Sequence, residues 1–298
     1  LGNLAGLPIE RVEGDLLDTR SLRPAVEGCD TIFHLAAIYK AWMPDPSVMY
    51  RVNIHGTRAL FAAALQAGGV ERVVYTSSLA AVGVGPGEEL ASEETIFNDW
   101  LTADNYVLSK YMSELEALSF NLKGLPVVAV NPTLPIGSKD IAPTPTGDLV
   151  QRYVAGQNPT WLPGGANCGS VRDIAGGHWL AALRGRPGER YILGGENVSY
   201  KDFAVRCCRI AGVAAPKYEI KTGMVRFLGK INEWIADHVT HRTPMFMDKA
   251  AGYVGGRFLY VDQTKAKVEL GYDPRPLDEA IADAVEWFRA GRAVALAK

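Results

Sequence analysis

Short, uniformly apolar runs separated by segments of helical length constrain the fold of this chain more than any other feature. They are Thr31 to Ala37 (T-I-F-H-L-A-A), Arg72 to Thr76 (R-V-V-Y-T), Pro126 to Val130 and Arg190 to Leu193. Runs this short, with no polar alternation, read as strands buried on both faces, as in a parallel sheet. The segments between them read as helices. Val48 to Ala67 is rich in Ala and Leu and stops at Gly68-Gly69, and a later helix starts at an Asp104 N-cap and ends at Gly124. Parallel neighbours joined by right-handed crossovers give an α/β, Rossmann-like, doubly wound sheet. Ligands bind outside the carboxyl ends of such strands. Ala36-Ala37, Ser77-Ser78 and Asn131-Pro132 stand at those ends.

The helix after Asp104 reads N-Y-V-L-S-K-Y-M and carries Tyr106 and Lys110 four residues apart, on one face. An ammonium beside a phenol favours the phenolate, which suits a tyrosine for general acid/base chemistry. On spacing alone, a surface lysine beside a half-buried tyrosine is the commoner outcome. About thirty residues earlier a buried strand ends in Ser77-Ser78, at the same end of the sheet.

Composition excludes several classes. The 298 residues carry a formal net charge of −2, which gives no electrostatic reason to expect nucleic acid as a partner. No apolar run approaches the ~20 residues of a membrane span. The four cysteines have neither metal-ligand spacing nor the density of a disulfide scaffold, so a reducing cytoplasm is the expected compartment. Asp237, His238 and His241 lack a third firm ligand, so no metal site is expected. His34 reads as a core histidine, and Cys207-Cys208 as packing. Residues 1–138 are expected to form a dinucleotide-binding domain and 139–298 mainly a substrate-binding region, with some segments returning to the core. Met224 to Val239 is apolar around much of its circumference. A packed cap helix or a subunit contact is the favoured reading there, with a membrane-surface face as the alternative.

Taken together, G-D-L-L-D (Gly14 to Asp18), H-L-A-A (His34 to Ala37), N-I-H-G-T (Asn53 to Thr57), Y-T-S-S (Tyr75 to Ser78), Y-V-L-S-K (Tyr106 to Lys110) and N-P-T-L-P-I-G (Asn131 to Gly137) resemble the extended short-chain dehydrogenase/reductase family. This is the NAD-dependent epimerase/dehydratase group. Within it, the chain is most similar to the hopanoid-associated sugar epimerases, relatives of dihydroflavonol-4-reductases. The resemblance implies a small-molecule substrate, NAD or NADP as cofactor, and a possible homodimer. It implies that Tyr106 exchanges a proton with the substrate oxygen, that Ser78 bonds that oxygen, and that Lys110 lowers the Tyr106 pKa and holds the nicotinamide ribose. Asp15 and Leu16 would meet the adenine, Ala36 and Ala37 would admit the dinucleotide to the backbone, and Asn131 and Pro132 would border the nicotinamide. Asn53 would give structural support.

The departures are equally definite. The family's T-G-x-x-G-x-x-G loop, which cradles the pyrophosphate at a helix N-terminus, is absent, and Gly83 to Gly87 lies after the wrong strand. Aligned on Asp15, the chain lacks the first two family strands and reads as N-terminally truncated. A gap is therefore expected between the β-prone run Ile9 to Val12 and the strand at Thr31, together with poor folding and poor dinucleotide binding. Ser170 to Asp173 (S-V-R-D) departs from the family's His-Val-Asp-Asp. The expected activity is NAD(P)-dependent oxidation, reduction or epimerisation at a secondary alcohol or keto group of a sugar-like substrate. A dihydroflavonol-4-reductase-like ketone reductase and a non-catalytic dinucleotide-binding or scaffolding protein are the alternatives.

Overall fold

The structure, a computed structural model, describes residues 2–141, 144–244 and 247–296; Pro143, in the proline- and glycine-rich turn before Gly147, lies outside the described residues. In chain order its strands are β1 (Thr31–His34), β2 (Arg72–Thr76), β3 (Val127–Pro132), β4 (Leu134–Ile136), β5 (Thr160–Trp161), β6 (Gly164–Ser170), β7 (Arg190–Leu193), β8 (Glu196–Ser199), β9 (Tyr218–Glu219) and β10 (Arg257–Leu259). The α-helices are α1 (Thr19–Val26), α2 (Pro46–Tyr50), α3 (Thr57–Ala67), α4 (Asn105–Ser119), α5 (Pro145–Val154), α6 (Val171–Arg184), α7 (Tyr200–Ile210), α8 (Thr222–Ile235), α9 (Asp248–Val254) and α10 (Leu277–Leu296).

The main sheet has the order β1-β2-β3-β7, every pair parallel. Its central valines, Val73, Val74, Val127, Val128 and Val130, are wholly buried. Phe61 of α3, Ala117 of α4 and Phe120 cover one face; Ile174 and Ala181 of α6, with Leu270 and Tyr272, cover the other. Each buried Val, Leu, Ile or Phe side chain among them contributes roughly 1.5–3 kcal/mol by leaving water, which is why these segments hold without polar alternation. β7 returns to this sheet from the second half of the chain. A second sheet, β10-β6-β4 with β8 antiparallel on β6, packs under α5, α7 and α10. Leu277, Ile281, Ala284, Val285 and Phe288 of α10 are all buried there, beside Cys207 and Cys208.

The structure differs from the sequence reading in four places. Ile9 to Val12 forms no strand, and both side chains are exposed. A β-prone run needs a neighbour to complete its ladder, and among the described residues β1 forms an edge of the main sheet with no strand beside Ile9 to Val12. The first strand stops at His34, leaving Ala36 and Ala37 on an exposed loop. The expected helix from Val48 to Ala67 is interrupted by a π-helical turn at Arg51–Gly56. A Cβ on Gly56 would stand 2.8 Å from that of Leu16, so the turn passes where only glycine fits. Finally, α8 turns its apolar stripe outward.

Candidate active site

Helix α4 is the element on which the site is built. Asp104 opens it, its carboxylate accepting the Val107 amide at 2.9 Å. From there a run of polar residues, Ser109, Lys110, Ser113 and Glu114, is buried against β2 and β3. Buried polar groups persist only when bonded, and these are. Lys110 Nζ donates to the Thr76 carbonyl at 2.8 Å and to the Tyr75 hydroxyl at 3.1 Å. That hydroxyl meets Ser113 Oγ at 2.6 Å. Glu114 accepts from Asn131 Nδ2 at 2.6 Å and from Arg190 at 3.1 Å. The Asn131 amide also donates to the Ser78 carbonyl at 3.0 Å. At the other end, Asn53 donates to Ser109 Oγ and pairs with both backbone groups of Ile38, fixing the loop after β1 against α4.

These bonds bring the Ser78, Tyr106 and Lys110 side chains to the carboxyl end of β2. Ser78 Oγ accepts the Ala80 amide at 3.2 Å, capping the 3-10 turn Leu79–Ala81. Tyr106 is half-buried, with the Tyr39 ring 4.7 Å away at 51°. Burial raises the Tyr106 pKa above its ordinary value; the adjacent Ser78 hydroxyl opposes this, while Tyr39 and Asp104 add to it. The phenol is therefore a proton donor near neutral pH. Burial pushes the Lys110 ammonium down to about 8, with Glu114 opposing. The Lys110 ammonium is drawn to Thr76 and Tyr75 on β2.

The Asn131 side chain is fully buried, and its amide donates to the Ser78 carbonyl and to Glu114, so it braces the strand end that carries Ser78. Pro132 is half-buried at the end of β3, and Ala36 and Ala37 are exposed beside β1. Asp15 and Leu16 line an open hollow of about 490 Å³ with Gly14, Asp18, Ser21 and Val52. His34 is a core residue bonded to Thr57 Oγ1 at 2.9 Å. Asp237 accepts the Trp42 indole and His238 stacks on Trp234. In the S-V-R-D segment, Ser170 caps α6 and Asp173 grips Arg275, both structural tasks.

The residues at the nicotinamide end fit a dinucleotide. Among the described residues Ser77 Oγ and Thr133 Oγ1, buried at the ends of β2 and β3, find no partner, and the Ala36-Ala37 loop has no bulk to block approach. Among the described residues no glycine-rich loop follows a strand as the fingerprint requires, and Gly83 to Gly87 packs on its own loop, where a Cβ on Gly85 would run into the Glu89 carbonyl.

Sequence reasoning missed Tyr75, Glu114, Arg190 and Tyr39. Glu114 follows Lys110 by four residues on one helix face, so spacing alone could have found it. Tyr39 had no local signal.

Comparison with known proteins places these features. A family model described as NAD dependent epimerase/dehydratase family matches residues 2–194. A Synechocystis protein named putative dihydroflavonol 4-reductase is 38% identical over 291 residues, covering 96% of this chain and 84% of that protein. The crystal structure of gox2253 superposes with a TM-score of 0.85 at 39% identity, covering 97% of this chain and 87% of that one. A nucleoside-diphosphate-sugar epimerase from Pseudomonas aeruginosa, PA4631, gives 0.78 at 27% identity, covering 97% and 86%.

Proposed function

The chain belongs to the NAD dependent epimerase/dehydratase family, and on that premise we propose that it interconverts a ketone and a secondary alcohol through Ser78, Tyr106 and Lys110. The cofactor is NAD or NADP, which when bound gives or takes the hydride at the substrate carbon. The observation that carries the reading is the buried anchorage of Lys110 on β2, beside the strand end that presents Ser78 to Tyr106. Tyr106 passes its phenolic proton to the substrate oxygen during reduction and recovers it during oxidation. Ser78 bonds the same oxygen and holds it in line with the phenol. Lys110 would hold the ribose hydroxyls, and its protonated form keeps positive charge beside them.

A sugar-like substrate is one reading, supported by the likeness to PA4631. Net reduction of an apolar or aromatic ketone is the second, and one observation favours it: the Tyr39 ring laid against Tyr106 gives the site an aromatic wall. Either reaction fits the cytoplasm, where four cysteines with no disulfide among them stay reduced. A homodimer would cover the exposed Met112 and Leu115 of α4. Incubation with excess reduced dinucleotide and panels of ketones and nucleotide sugars tests the two readings. Stoichiometric loss of reduced cofactor marks a reductase; turnover without net change marks an epimerase; no turnover on either panel contradicts both.

A further inference from the structure

Helix α8 is amphipathic in the wrong sense for a helix that merely packs on its own protein. Phe227, Trp234, Met224 and Ile231 are exposed by 64, 59, 52 and 45%, and their spacing sets them in one stripe. The face that docks is small: Gly229 lies against the backbone of Met247 and Asp248, and Ala236 is buried just beyond the helix. Charge is sorted in the same direction. Each acid of the segment is engaged by the protein. Glu219 accepts the Trp161 indole at 3.3 Å, Glu233 the Asp248 amide at 3.0 Å, and Asp237 the Trp42 indole at 2.9 Å. Of the bases, Arg226 pairs with Asp248 at 2.7 Å. Lys217, Lys221, Lys230 and Arg242 form no ion pair among the described residues.

The segment therefore offers solvent an apolar, aromatic stripe flanked by unpaired cations, in a chain whose net charge is −2. That combination suits a helix lying in a bilayer interface, with its apolar side chains among the acyl chains and its lysines at anionic headgroups. No helix among the described residues is long and apolar enough to cross a membrane, so the contact is a surface one. We propose that α8 docks this protein on a bilayer surface containing anionic phospholipid. The Trp42–Asp237 bond joins the docking segment to the loop that carries Tyr39, so the docked face lies on the side of the site that Tyr39 walls, from which an apolar substrate can enter.

Co-sedimentation of the full chain with vesicles tests this. The protein should pellet with phosphatidylcholine–phosphatidylglycerol vesicles about tenfold more than with phosphatidylcholine alone, and salt should weaken the binding. A Phe227→Ser/Trp234→Ser variant should stay in the supernatant with its thermal midpoint unchanged. Lys221→Glu/Lys230→Glu should lose the preference for anionic lipid. Absence of pelleting, or equal pelleting by the Phe227→Ser/Trp234→Ser variant, overturns the proposal. So does a solution mass that falls in that variant, because a second copy of the chain then covers the stripe.

Discussion

Lys110 Nζ stands 3.1 Å from the Tyr75 hydroxyl and 2.8 Å from the Thr76 carbonyl, so strand β2 holds the lysine. Its pairing with Tyr106, one helical turn away, is a matter of shared position and not of contact. Burial keeps this ammonium at about 8, below its ordinary 10.5. Turnover that needs the charged lysine is present below that value and lost as pH rises through it. Tyr75→Phe removes an acceptor while keeping the buried ring, so the ammonium should titrate lower still. The alkaline limb of the kcat/KM profile is expected to move down by about one pH unit. Superimposable profiles would show that the phenol has no hold on Lys110.

Glu114 and Arg190 pair at 3.1 Å with the carboxylate side chain only 3% exposed. Glu114→Ala would leave a guanidinium and the Asn131 amide short of a partner in the interior, at a cost of about 3 kcal/mol. Ser78 would also lose part of the brace on its carbonyl, so kcat should fall more than KM rises. Urea denaturation and steady-state kinetics check the two halves. A loss below about 1 kcal/mol would place this network among ordinary surface pairs.

His34 is held at about 4, chiefly by burial and secondarily by the Lys110 charge, against 6.5 when free. As pH falls below 6.5 the unfolded chain takes up this proton while the folded chain does not. The contribution is therefore intact above 6.5 and lost between 6.5 and 4, amounting to at most about 3 kcal/mol. Urea midpoints measured across that window should decline, and His34→Asn should flatten the decline. An unchanged slope in the variant would assign it to other groups.

The parts of the site legible in the sequence are those carried by local pattern. Ser78 follows a buried strand, and Tyr106 and Lys110 share one face of a capped helix. The brace behind them joins residues far apart in sequence, Glu114 to Arg190 and Asn131 to Ser78, and no short-range period reports it. Ile9 to Val12 illustrates the converse. Its composition suits a strand, but a strand exists only where another strand receives its hydrogen bonds. For α8, periodicity reveals an apolar stripe and cannot say which side the body of the protein lies on.

The central claim is that Tyr106 handles the proton. Its most direct test is the rate of ketone reduction by Tyr106→Phe beside the wild-type chain, with the reduced dinucleotide in excess and urea stability measured on both. The account predicts that kcat falls at least about 10²-fold while stability and dinucleotide affinity hold. A variant that reduces ketones at the wild-type rate would contradict it.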